Sequence, residues 1–85
     1  MKTKPDIVIF RKFRGGDILA LFPEIPDCNN FCLSYQHVGQ HGGADYSHCI
    51  SITTPAKPSE YKELARELRR IGYLLDIRQR RPRRW

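Results

Sequence analysis

The chain has 85 residues, 40% hydrophobic and 28% charged, and its 15 Lys and Arg against 9 Asp and Glu give a formal net charge of +6 at pH 7. That length holds one domain and excludes a second, and the composition excludes wholesale disorder. No apolar run approaches the roughly 18 residues that cross a bilayer, and the opening residues lead into a short β-like run instead of a signal-peptide core, so no membrane partner and a cytoplasmic location are expected.

In chain order, residues 7–13 (Ile-Val-Ile-Phe-Arg-Lys-Phe) and 17–22 (Asp-Ile-Leu-Ala-Leu-Phe) are β-branched and aromatic runs separated by Arg14-Gly15-Gly16. Adjacent glycines supply the positive φ angles of a tight primed turn, so the spacing predicts a hairpin. Apolar residues on both faces of each run make them central strands. Residues 23–30, with two prolines and an Asn pair, read as a loop. A third strand follows over 31–38, with Phe31, Leu33, Tyr35 and His37 on one face and Cys32, Ser34 and Gln36 on the other. Residues 39–45 read as a glycine-rich connection, and 46–53 as a fourth strand carrying Tyr46, His48, Ile50 and Ile52 on one face. Hairpin pairing across that connection would set Tyr35 and His37 near His48 and Tyr46.

Thr54-Pro55-Ala56-Lys57-Pro58 then leads into a helix. Pro58 suits its first turn, and Glu60 and Glu63 suit the positive end of its dipole. Tyr61, Leu64, Leu68 and Ile71, with Ala65, follow the 3-4 spacing of one buried stripe, and Gly72 is a natural stop. Residues 73–78 read as a last strand. The predicted order is β-β-β-β-α-β: an α+β domain over residues 1–78, with a mainly antiparallel sheet of about five strands and one helix packed on one face. Residues 79–85 form a basic tail with no apolar pattern to hold it, expected to be mobile.

Charge is uneven along this plan. Residues 76–85 contribute +4 through Arg78, Arg80, Arg81, Arg83 and Arg84 against Asp76, while across residues 28–56 Asp45 is the only formally charged side chain. That middle stretch holds all three histidines and all three cysteines, Cys28, Cys32 and Cys49. Three thiols cannot all pair within one chain, so reduced cysteines are expected, with Cys49 a small core residue on a strand.

Two features bear on chemistry. The arginine-rich end closes on Trp85; guanidinium groups pair phosphates bidentately and an indole stacks on bases, so Arg78, Arg80, Arg81, Arg83, Arg84 and Trp85 are candidates for polyanion binding, extended by Arg11, Lys12 and Arg14 of the first hairpin. A solubilising basic tail is the plainer alternative, and no zinc-finger or RNA-recognition spacing accompanies it. The second feature is the run 34–48, where uncharged hydrogen-bonding groups stand beside glycines that let a ligand reach backbone amides. Tyr35, Gln36, His37, Gln40, His41, Asp45 and His48 are its candidate ligand-binding residues. Metal ligation lacks the helical spacing that presents two imidazoles together, and acid–base catalysis by paired histidines is not demanded by the spacing either. His37 and His48 also read as hydrogen-bonded residues at the edge of the core. No catalytic residue, metal or cofactor is implied.

Gly-Gly-Asp-Ile-Leu-Ala-Leu-Phe-Pro-Glu-Ile-Pro at 15–26, Ser-Tyr-Gln-His-Val-Gly-Gln-His at 34–41, Ala-Asp-Tyr at 44–46 and Leu-Arg-Arg-Ile-Gly-Tyr at 68–73 resemble a group of short uncharacterised proteins encoded by phages and mobile elements of gut bacteria. The resemblance carries no activity; it implies a bacterial host cell and a setting in which small proteins sequester host components, counter-defence included. The expectation is a small non-enzymatic binding protein that engages an anionic partner: nucleic acid, a nucleotide-like ligand or an acidic host protein surface. The alternatives are a small His-dependent nuclease or nucleotide hydrolase, and an oligomeric interaction or structural protein, since one helix leaves a second sheet face to be covered by a second copy, a host protein or a long loop of the chain itself.

Overall fold

The two β-rich runs fold back on each other as β1 (Asp6–Phe13) and β2 (Ile18–Pro26), antiparallel, with Ile9 opposite Leu21 and Arg11 opposite Leu19. The computed structural model describes residues 5–26, 31–36 and 40–79, with the backbone alone at 40 and 41. The hairpin connection differs from the two-glycine primed turn. Phe13 N–H donates to Asp17 O and Gly16 N–H to Phe13 O, each at 2.9 Å, and only Gly16 of the pair has a positive φ, 102°. This is a turn across Phe13–Gly16 closed by a left-handed glycine, a bulged alternative that leaves Arg14 at the tip.

β3 (Cys32–Gln36) pairs antiparallel with β2, and β4 (Gln40–Ala44) pairs antiparallel with β3, Tyr35 opposite His41 and Leu33 opposite Gly43. Two expectations are corrected here. The stretch expected to be a glycine-rich connection is itself the fourth strand, and residues expected to be that strand form α1 (Tyr46–Ile52). The physical reason lies at both ends of α1. Asp45 caps its start, accepting from His48 N–H at 3.4 Å, and Thr53 closes its end, its hydroxyl donating to Cys49 O at 2.6 Å. The alternation at 46, 48, 50 and 52 competes with a helical spacing at Tyr46, Cys49 and Ile50, and these three pack on the sheet while His48 and Ile52 face solvent.

β5 (Thr53–Pro55) pairs antiparallel with the second half of β1, and after α2 (Pro58–Arg70) the chain returns as β6 (Leu75–Arg78), parallel to the first half of β1. The sheet order is β4-β3-β2-β1-β5, with β6 also beside β1, so the fold is α+β and mostly antiparallel, with two helices among the described residues. α2 ends as the sequence demands. Gly72 has φ 114°, its N–H bonds Arg69 O, and Tyr73 N–H bonds Leu68 O, both at 3.1 Å.

The alternation of strand side chains divides the core in two. On one face Val8, Phe10, Ala20, Phe22 and Tyr35 bury against Leu64, Ala65 and Leu68 of α2. Phe10 stacks on Tyr61 at 4.4 Å and Phe22 on Tyr73 at 5.0 Å. The other face holds Leu19, Leu21, Cys32 and Ala44 beneath α1. The sheet face that one helix would have left open thus has α1 as its cover. No helix among the described residues is long and apolar enough to cross a membrane.

Candidate functional site

Of the residues singled out between 34 and 48, those whose side chains are described, Tyr35, Gln36, Asp45 and His48, take separate places in the fold. Tyr35 is buried on the α2 face and its hydroxyl donates to the Glu67 carboxylate, which makes it part of the core. Gln36, half-buried, lies at the end of β3 on the opposite side of the pleat. Asp45 is the cap of α1, and His48 is exposed in its first turn. Gln40 and His41 place their backbone in β4, opposite Gln36 and Tyr35, and His37 lies outside the described residues. Among the described residues no three His, Cys, Asp or Glu side chains form a metal-holding group.

The basic candidates divide as well. Arg11 does not reach solvent: it is 8% exposed, and its Nε donates to Thr53 Oγ1 at 2.9 Å while one terminal nitrogen donates to Thr53 O at 2.7 Å and Ile50 O at 3.1 Å. The guanidinium is therefore spent on the carbonyl end of α1, where the helix dipole favours a cation. Lys12 points to the α2 side and pairs with Glu60. Arg78 holds Asp76 in a two-pronged pair, 3.2 and 3.0 Å, on the exposed surface. This carboxylate, foremost by hydrogen bonding, pushes the Arg78 pKa up. Arg14 is exposed at the hairpin tip. Arg80, Arg81, Arg83, Arg84 and Trp85 lie outside the described residues.

A groove of about 660 Å³ opens beside that tip, lined by Lys12, Phe13, Arg14, Ser51, Ile52, Thr53 and Thr54. It forms because β5 lies along β1 directly after α1, bringing the last turn of the helix to the hairpin. Lys12 and Arg14 were legible as cations; the wall of Ser51, Ile52, Thr53 and Thr54 was not, because a strand over 46–53 would have spread these side chains over two faces. Asp45 before an apolar 46/49/50 stripe was the signal that pointed to it. Arg14, exposed at the tip, is the cation this groove offers an anion, since Lys12 is held by Glu60, the Ser51 hydroxyl donates to His48 O at 2.6 Å and the Thr54 hydroxyl to Lys12 O at 3.5 Å; the exposed Ile52 and Phe13 add an apolar wall.

The outlet of the basic tail lies on the same side. β6 runs along the outer edge of β1 toward β5 and ends with Arg78 opposite Ile9, while Thr53 sits opposite Phe13 on that edge. Four residues of β1 separate the two points, about 13 Å along a strand. In comparisons with known proteins, no family model, curated protein or solved structure matches this chain.

Proposed function

We propose that this is a small non-enzymatic binding module that takes an anionic partner, nucleic acid foremost, along the side of the sheet where β5 and β6 lie. The observation that carries this reading is the shared edge: the chain leaves β6 at Arg78 pointing along β1 toward the groove of Lys12, Arg14, Ser51 and Thr54. Arg80, Arg81, Arg83 and Arg84 follow in sequence, within a few residues' reach of that groove. The tail cations and Arg14 then supply attraction and on-rate, and the Arg14 guanidinium at the mouth of the groove pairs a phosphate. A phage or mobile-element setting, with counter-defence as the role, rests on the sequence resemblance alone. The nuclease alternative, with His41 and either His37 or His48 as acid and base, has no observation in its favour.

The test is binding of labelled single- and double-stranded oligonucleotides across a salt series by three proteins: the full chain, Arg14→Ala, and a version ending at Gln79, which keeps all of β6. Each phosphate contact removed should flatten the log–log salt slope by about 0.9 on duplex DNA and about 0.7 on single strands. Truncation should therefore flatten it severalfold more than Arg14→Ala does. Equal affinity of all three proteins, or no binding by the full chain at low salt, would overturn the proposal.

A further inference from the structure

The opposite edge of the sheet poses a separate question. β4 pairs with β3 on one side, and among the described residues no strand pairs with its other side. An open edge of this kind presents alternate N–H and C=O groups to solvent, and proteins ordinarily blunt it with charge, proline or a covering element. Here none of those residue types is present in Gln40–Ala44, whose sequence is Gln-His-Gly-Gly-Ala.

Gly42 at the centre of this strand has no reason within one chain to be glycine. Its φ is not positive, and a Cβ built on it would meet nothing within 4 Å. A glycine inside a strand weakens it unless a turn, a bulge or a close approach by another backbone calls for it. Gly42 pairs in register with Ser34, between Tyr35–His41 and Leu33–Gly43, so no bulge accounts for it.

We infer that β4 is a self-pairing edge, at which a second copy of this chain adds antiparallel about a two-fold axis at Gly42. Symmetric pairing there uses the full strand, Gln40 opposite Ala44 of the second copy and Gly42 opposite Gly42, and continues the sheet across the axis. Charge selects a copy of the chain as the occupant despite the +6 of each protein: residues 28–56 carry one charged side chain, Asp45, and the described cations of β1 and β6 stand three and four strand spacings away, about 14 and 19 Å. Two copies joined at β4 therefore meet through their least charged part. A foreign extended peptide would draw its specificity from side-chain pockets along the edge. Gly42 and Gly43, both exposed, offer no such walls. The result is a dimer with one basic groove at each far end. The pairing does not depend on what the groove binds.

The contact is small, in the class below about 1,200 Å², so the association should be weak and reversible. Sedimentation equilibrium of the full chain should show the mass rising from one chain toward two as concentration climbs to about 1 mM. Gly42→Lys and Gly42→Glu, which the open space accommodates, should each weaken association by about fivefold or more by setting like charges opposite one another, and mixing the two should restore it. Far-ultraviolet circular dichroism verifies that each variant keeps its fold. A one-chain mass for the unmodified protein throughout would overturn the inference. So would association unaffected by both substitutions, or a mixture of folded variants no stronger than either alone. Should a variant fail to fold, amide exchange of the unmodified chain decides: β4 amides should be slower at high than at low protein concentration, and equal rates would overturn it.

Discussion

Arg11 shows how far one side chain's environment departs from its type. It lies in a run that reads as basic and exposed, Arg-Lys-Phe-Arg, yet its position in the pleat turns it under α1. There it meets carbonyl oxygens and a hydroxyl, with no carboxylate in its described contacts. Cys49 is a quieter case on the same helix. It is half-buried against the apolar layer, and this burial pushes its thiol pKa up, with the Asp45 carboxylate adding to the effect. The thiol should resist ionisation above the ordinary range near about 8.5. Site-resolved iodoacetamide labelling against pH should place the Cys49 inflection above that range. Asp45→Asn removes the charge and keeps a competent helix cap, so it should lower the inflection only partly, because burial is the larger cause. An inflection at or below the ordinary thiol range in the unmodified chain would contradict this account.

The start of α2 illustrates how an element's end couples to the rest. Glu60 accepts from the Lys57 N–H at 2.8 Å and receives the Lys12 ammonium from β1, so one carboxylate caps the helix and ties it to the sheet. The Lys12 hydrogen bond foremost, then that of the Lys57 backbone, hold its pKa below the usual carboxylate range. A depressed folded-state pKa contributes stability that is present above the unfolded value, about 4.3, and is lost as pH falls through the folded value. Melting of the wild type and Glu60→Gln should therefore differ at pH 7, with the wild type higher, and the gap should close below about pH 4. A gap that persists unchanged at low pH would show that the carboxylate charge is not what holds this corner. The same element was mostly legible in advance: Leu64, Ala65 and Leu68 bury and Tyr61 packs beside them as their spacing requires, and Gly72 stops the helix, whereas Ile71, expected in the same stripe, is the C-cap and 51% exposed. β1, β3 and the first part of β2 were legible too, from β-branched and aromatic runs, but residues 23–26, read as a loop for their two prolines, continue β2 to Pro26, with an irregularity in register between Phe22 and Pro26. α1 and β4 were not. Gly42 and Gly43 disguise β4 as a loop, and β-branched Ile50, Ile52 and Thr53 outweigh the Asp45 cap and the 46/49/50 stripe in a local reading of α1, while the Arg11 contacts at its carbonyl end come from far along the chain. The candidate site shares that division: Lys12 and Arg14 could be read from the sequence, and the hydroxyl wall depended on α1.

At the scale of the whole molecule, the sheet separates two layers of unequal strength. The α2 layer joins nine buried residues and two stacked aromatic pairs, whereas the α1 layer joins four and contains no fully buried residue from α1 itself. A seven-residue helix is too short to persist alone, so α1 depends on its cap, on Tyr46, Cys49 and Ile50, and on the Arg11 fork. Such a layer should open below the global unfolding free energy, and the groove, walled by Ser51, Ile52, Thr53 and Thr54, should open with it. Native-state amide exchange should then show α1 amides exchanging well ahead of those in α2 and the centre of β1 and β2. Arg11→Met keeps much of the side-chain volume but strands the Ile50 and Thr53 oxygens, a loss of about 2 to 4 kcal/mol. It should accelerate exchange in α1 by about 30-fold or more, the factor corresponding to the lower figure, while leaving α2 still the slower layer. Arg11→Lys restores the charge without the planar fork and should recover only part of the protection. If α1 and α2 instead exchanged at one common rate in the wild type, the two layers would unfold as a single unit, and the groove would be as permanent as the core behind it.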